Sequence, residues 1–94
     1  MSRPPLTGTE IAEALEDLEG WYVEAGKLTL RRELPTFLDA VAFVQRVAVL
    51  AEQLDHHPDI DIRWRTVVLA VNTHDAGNVI TAKDVELATG VNQL

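Results

Sequence analysis

Cysteine is absent from this chain of 94 residues. Its absence excludes a disulfide framework, thiol catalysis, cysteine-ligated zinc and iron–sulfur clusters. Basic residues are scarce, because eight Lys and Arg stand against fifteen Asp and Glu and give a net charge of −7. That excess of negative charge repels phosphate backbones, so we expect no nucleic-acid partner.

Long apolar runs are missing as well. No apolar stretch approaches the ~20 residues that a membrane-spanning helix requires, so we expect no membrane partner. Residues 1–5 lack the apolar segment of a secretory signal and are expected to form a flexible tail. The sequence therefore predicts a soluble cytoplasmic protein in which residues 1–94 form a single domain.

Apolar residues nevertheless make up 47% of the chain, enough to build a core. A domain this small, without disulfides, gains stability by burying more apolar surface against another subunit. We therefore expect a homodimer or a homotetramer.

Three amphipathic stretches predict helices, at about 8–18, 37–54 and 82–90. Thr7 with Glu10 and Thr81 with Asp84 have the spacing of a capping box, in which each side chain accepts a hydrogen bond from the other residue's backbone N–H. These pairs mark the beginning of the first and the last helix.

Four stretches of alternating apolar and polar residues predict strands, at 21–24, 28–33, 60–64 and 66–72. They form two hairpins, and the second hairpin is expected to turn near Arg65 and Thr66. The order α-β-β-α-β-β-α predicts an α+β fold, with a four-stranded antiparallel sheet and the helices packed on one of its faces.

The same patterns predict which large side chains are buried. Trp21 and Trp64 are expected in the core. In the longest helix the apolar stripe includes Phe37, whereas Phe43 and Leu50 lie off it. We expect that second apolar side to contact another subunit.

All three histidines lie near predicted element ends. His56 and His57 follow the longest helix, and His74 follows the last strand. Imidazole both gives and accepts protons near neutral pH, and the acidic neighbours of these histidines favour its charged form. The histidines are therefore candidates for general acid–base catalysis.

Spacing alone leaves two other interpretations of the histidines open. They can be solvated residues at a helix end, where the helix dipole favours cations. They can also bind a metal with a carboxylate, although His56 and His57 point in different directions and no established ligand spacing is present. Glu52, one helical turn before His56, is placed either to hydrogen-bond it or to remain a solvated surface carboxylate. The spacing of Asp84 is that of a capping residue.

The residues around the histidines resemble the signature of the pterin-4a-carbinolamine dehydratase family. In chain order they are Glu52-x-x-x-His56-His57-Pro58, Trp64, His74 and Asp84. The resemblance covers nearly the whole chain, from residue 20 to residue 88. It implies the element order predicted above, association as dimers or tetramers, and a 4a-hydroxytetrahydropterin as substrate.

The resemblance also implies roles for individual residues. His56 and His74 would be the acid–base pair in the dehydration, and His57 would contact the pterin. Glu52 and Asp84 would orient imidazoles or hold the polar edge of the pterin, and the main chain of Asn72 and Thr73 would line its ring. The reaction so implied yields a quinonoid dihydropterin and water, in tetrahydropterin recycling, and requires no metal and no redox cofactor.

A function of another class remains open beside the enzyme. Proteins that resemble this family act as a dimerisation partner of a transcription factor or as an assembly factor for a carboxylating enzyme. Such a non-enzymatic partner is expected to lose the catalytic histidines, whereas this chain retains all three. The sequence therefore favours the enzyme.

Overall fold

The computed structural model describes residues 4–94. Its elements follow the predicted order, with one additional turn of 3₁₀ helix before the last helix. They are α1 (Gly8–Glu16), β1 (Trp21–Glu24), β2 (Lys27–Glu33), α2 (Phe37–Leu54), β3 (Asp59–Arg63), β4 (Thr66–Val71), the 3₁₀ turn (His74–Ala76) and α3 (Ala82–Asn92). Of the expected flexible tail, residues 1–3 lie outside the described residues, and Pro4 and Pro5 are exposed.

The four strands form one antiparallel sheet in the order β1-β2-β4-β3. The two hairpins join through their inner strands, with Leu30 of β2 opposite Leu69 of β4. Side chains of β1, β2 and β4 that share one face of the sheet are buried against the helices, as the period of two requires. They are Trp21, Leu28, Leu30, Val67, Leu69 and Val71. The predicted α+β fold is confirmed.

The two predicted capping boxes begin the first and the last helix. Thr7 and Glu10 form a reciprocal capping box at α1, and Thr81 and Asp84 form one at α3. The first helix ends at Glu16, earlier than expected, because the chain must turn before it enters β1. Each box satisfies backbone N–H groups that a helix start leaves unpaired.

The second tryptophan is not in the core. Trp21 is buried as predicted, whereas Trp64 is 71% exposed. The turn lies at Trp64 and Arg65, one residue earlier than expected, and Trp64 takes a positive φ of 54°. A two-residue hairpin turn needs such a φ at its first position, which aims the indole away from the sheet. The Arg65 guanidinium lies 4.8 Å from the ring centroid of Trp64.

The buried face of α2 also differs from the predicted stripe. Phe43 is only 2% exposed and packs in the core, whereas Phe37 is 49% exposed. The helix packs against β3, β4 and α3, and its buried residues differ from the stripe that spacing alone defines. Its core residues are Ala40, Phe43, Val47 and Ala51. Within residues 4–94, no helix has both the length and the apolar character needed to cross a bilayer.

Candidate active site

A cavity of about 310 Å³ lies where the C-terminal end of α2, the end of β4 and the start of α3 meet. All three imidazoles line it, although His74 lies 17 residues beyond His57 in the chain. The complete lining is Asp55, His56, His57, Asn72, His74, Asp75 and Lys83. The structure therefore brings the histidines into one polar hollow. Of the other predicted site residues, it places Asn72 in the lining, Thr73 and Asp84 buried behind it, and Glu52 exposed beside His57.

A residue in the left-handed backbone conformation positions the first two histidines at this cavity. Asp55 ends α2 with φ 49° and ψ 46°, a conformation in which aspartate is better tolerated than most residues. The backbone N–H of His56 then donates to the carbonyl of Ala51 at 3.0 Å. The chain leaves the helix axis at this point, and His56 and His57 point to different sides, as expected.

A closed loop delivers the third histidine. The backbone N–H of Thr73 donates to the carbonyl of Val79 at 2.8 Å, and the carbonyl of Thr73 accepts from the N–H of Asn78 at 3.0 Å. The Asn72 side chain donates to the Asn78 carbonyl at 3.1 Å. These bonds hold His74 at the first position of the 3₁₀ turn. They also occupy the main-chain groups of Thr73 within the loop.

His56 forms a buried pair with Asp84. Nε2 of His56 lies 2.5 Å from Oδ1 of Asp84, and the two side chains are 10% and 0% exposed. Asp84 thus serves both as a capping residue and as the partner of an imidazole, which its spacing alone did not reveal. Because a buried ionisable group is costly without a partner, each of the two residues requires the other.

Two buried threonines complete the surroundings of Asp84. Oδ2 of Asp84 accepts from the backbone N–H of Thr81 at 2.8 Å and from the hydroxyl of Thr73 at 2.9 Å. The two hydroxyl oxygens lie 2.7 Å apart. Both carboxylate oxygens of Asp84 are therefore held, one by the helix start and the loop, and the other by His56.

His57 pairs with Glu52 at the rim. Nε2 of His57 contacts Oε2 of Glu52, and the side chains are 58% and 77% exposed. The expectation that Glu52 would bond His56 is wrong, because the turn at Asp55 directs His56 inward and leaves His57 beside the last turn of α2. Exposed pairs of this kind contribute little to stability. The effect of the contact is instead to orient the His57 ring at the rim.

Lys83 is a lining residue that the sequence did not suggest. It is half-buried, and its side chain lies beside His56 at the second position of α3. It is the one Lys or Arg side chain in the lining, which also contains the carboxylates of Asp55 and Asp75. Its position next to Asp84 was the available signal, since the capping box already fixed where α3 begins.

The lining does not resemble a metal site in its ligand arrangement. Among residues 4–94, no group of three or more His, Asp or Glu side chains is placed to hold one ion. His56 and His57 each direct Nε2 at a different carboxylate. The arrangement instead joins proton donors and acceptors around a hollow.

Comparison with known proteins identifies relatives of nearly full length. A family model described as Pterin 4 alpha carbinolamine dehydratase matches residues 4–94. A protein of Roseiflexus sp. (strain RS-1), provisionally named pterin-4-alpha-carbinolamine dehydratase, is 49% identical over 95% of each chain. A protein of Mycolicibacterium smegmatis with the same provisional name is 51% identical over 95% of this chain and 94% of its own.

Two solved structures share the fold. One is a transcriptional coactivator/pterin dehydratase from Brucella melitensis, with a TM-score of 0.87 and 33% identity over 95% of this chain and 96% of its own. The other is a pterin dehydratase-like protein identified as a RuBisCO assembly factor in the alpha-carboxysome. It has a TM-score of 0.62 and 19% identity, over 78% of this chain and 83% of its own. At that identity the second likeness concerns the fold alone.

Proposed function

The chain belongs to the pterin-4-alpha-carbinolamine dehydratase family, and we propose that it removes water from a 4a-hydroxytetrahydropterin by histidine general acid–base catalysis. The observation that carries this proposal is the cavity lined by three imidazoles, one of them backed by the buried Asp84. Its volume of about 310 Å³ lies within the range of small-molecule sites. We place the reaction in tetrahydropterin recycling, in the cytoplasm.

The dehydration needs two proton transfers. Hydroxide is a poor leaving group, so the oxygen at C4a takes up a proton as the C4a–O bond breaks and water leaves with the bonding electron pair. N5 loses its proton, and the electron pair of the N5–H bond forms the C4a=N5 double bond of the quinonoid dihydropterin. Each transfer is assisted by a side chain that lies within hydrogen-bonding reach of the reacting atom.

The surroundings of the two histidines suit them to different transfers. His56 accepts the N5 proton, because Asp84 stabilises the imidazolium that forms. His74 supplies the proton to the departing hydroxyl, and within residues 4–94 no side chain is hydrogen-bonded to its ring. The pairing of His56 with Asp84 assigns Nε2 to the carboxylate and leaves Nδ1 for the substrate.

The remaining site residues hold the substrate. His57, oriented by Glu52, contacts the pterin edge at the rim, and Asn72 contributes to the lining. Lys83 adds a hydrogen-bond donor to the polar lining. No metal and no redox cofactor takes part in these steps.

The direct test is stopped-flow decay of a freshly generated 4a-carbinolamine with and without the protein. We expect the decay rate to rise in proportion to protein concentration above the spontaneous rate, and EDTA to leave the increase unchanged. A folded protein that produces no increase at micromolar concentration contradicts the proposed enzyme. A loss of the increase in EDTA, restored by a metal, contradicts the metal-free mechanism.

An apolar groove on the outer side of α2 favours association with another protein chain. The groove of about 400 Å³ is lined by Ala42, Gln45, Arg46, Val49, Leu50, Gln53 and Leu94. Val49 is 59% exposed, and Leu38 on the same helix is 77% exposed. We propose that copies of this chain cover such surface as a homodimer or homotetramer. A non-enzymatic dimerisation or assembly partner built on the same fold would use it in the same way.

Sedimentation velocity tests the association. We expect a dimer or a tetramer at micromolar concentration, because exposed apolar surface is buried in a subunit interface. Val49→Glu is expected to weaken the association, since it places a charge in the groove, while far-UV circular dichroism stays unchanged. A wild-type protein that sediments as a monomer contradicts the expectation.

A further inference from the structure

The hydroxyls of Thr73 and Thr81 form a buried contact beneath the cavity. The two residues are 3% and 0% exposed, and their Oγ1 atoms lie 2.7 Å apart. One follows strand β4 and the other caps α3, so the contact joins the two elements that carry His74 and Asp84. Buried hydroxyls must be satisfied by partners, which makes the order of donors and acceptors here determinable.

Only one order of hydrogen bonds satisfies every group. A carboxylate oxygen accepts and does not donate, so the Thr73 hydroxyl donates to Oδ2 of Asp84 at 2.9 Å. The Thr73 oxygen then accepts from the Thr81 hydroxyl. The Thr81 oxygen in turn accepts from the backbone N–H of Lys83 at 3.2 Å.

This order decides which oxygen of Asp84 faces His56. Oδ2 already accepts from the Thr73 hydroxyl and from the Thr81 backbone N–H, so Oδ1 is the oxygen left for Nε2 of His56. The carboxylate cannot rotate without breaking both bonds at Oδ2. The orientation of Asp84 is therefore held by two bonds at Oδ2, one of them from a hydroxyl that does not line the cavity.

We propose that Thr73 is a positioning residue, whose hydroxyl holds Asp84 so that Nε2 of His56 carries the proton and Nδ1 remains the acceptor. As a statement about catalysis, this rests on the proposed function. As a statement about the His56 ring, it stands on the buried contacts alone. It gives Thr73 a role through its side chain, distinct from the main-chain contact that the family resemblance implied.

The test compares Thr73→Val, which removes the hydroxyl at nearly constant volume, with Thr73→Ser, which retains it. We expect Thr73→Val to lower kcat for carbinolamine dehydration about 10- to 100-fold, the effect of losing one hydrogen bond to a charged group, with little change in KM. Thr73→Ser is expected to keep most of the activity. In ¹⁵N spectra of imidazole-labelled protein, Thr73→Val is expected to shift the His56 ring nitrogens away from the Nε2–H form.

Thr29→Val is the matched control. Thr29 is also 3% exposed, and its hydroxyl donates to the Lys27 carbonyl at 3.2 Å, within β2. It removes a buried threonine hydroxyl without touching Asp84, so kcat and the His56 nitrogen signals should match the wild type. Chemical denaturation of both Val variants measures the general cost of the lost hydroxyl.

The two readouts separate the possible failures. If Thr73→Val leaves both kcat and the His56 signals unchanged, the positioning role is wrong. The same holds if Thr29→Val alters them equally. If the ring signals shift as expected while the wild-type protein does not accelerate dehydration, the positioning role stands and the proposed enzyme is wrong.

Discussion

His56→Ala and His74→Ala are each expected to slow carbinolamine dehydration by about 10²–10⁴, the usual loss when an acid–base group is removed. Each imidazole lines the cavity, and each is proposed to move one of the two protons. Stopped-flow decay at saturating substrate measures the effect directly. We expect the double variant to fall to the spontaneous rate.

The control for these variants must separate chemistry from folding. His56 is buried, so its loss also removes core contacts, whereas His74 is exposed. His56→Gln, which fills more of the space, is therefore the better probe at that position, with circular dichroism and chemical denaturation as checks of the fold. Wild-type turnover in both single variants and in the double variant refutes the acid–base assignment.

The course of the chain was predictable because its signals are local. Thr7 with Glu10 and Thr81 with Asp84 are three residues apart, and a capping box depends on nothing further along the chain. In β4, the alternation of residues in the sequence likewise matches the alternation of buried and half-buried side chains. Errors occurred where a turn or a packing partner overrides the local pattern.

Trp64 and Phe43 illustrate those errors. The pattern of β3 continues through Trp64, but hairpin closure requires a positive φ there, and the ring is turned outward. Phe43 lies off the stripe defined by spacing, yet the packing of α2 across the sheet places it in the core. The spacing of apolar residues alone does not predict which elements a helix packs against.

The candidate site shows the same division. The three histidines stand at predicted element ends, so their convergence followed from the fold order and from the family resemblance. Which carboxylate pairs with which imidazole did not follow, because Asp84 lies 28 residues from His56. Glu52 lies close enough to His56 in the sequence to suggest a hydrogen bond between them. The left-handed conformation of Asp55 changes the direction of the chain, so that Glu52 pairs with His57 instead.

Asp84→Asn is expected to lower dehydration by about 10²–10⁴ while the protein stays folded. The amide oxygen can replace Oδ2 and accept from Thr81 and Thr73, and the amide NH₂ then faces Nε2 of His56. Nε2 of His56 must then accept a hydrogen bond from the amide NH₂, and the ring proton moves to Nδ1. The imidazole so presented no longer accepts a proton from N5.

Asp39→Asn supplies the control for Asp84→Asn. Asp39 occupies the same third position of α2, after the capping residue Thr36, but it is exposed and far from the cavity. It removes the same charge from a helix start, so any general effect of that loss appears in both variants. We expect Asp39→Asn to retain full activity.

Asp84→Ala, in contrast, is expected to destabilise the fold by about 3–5 kcal/mol, because it leaves a buried imidazole, a hydroxyl and a helix N–H without their acceptor. A domain of this size has a total stability of about 5–15 kcal/mol, so urea unfolding should show a clear shift of the midpoint. If Asp84→Asn keeps wild-type turnover, the buried pair has no part in catalysis. If Asp84→Ala unfolds like the wild type, the pair has no part in stability.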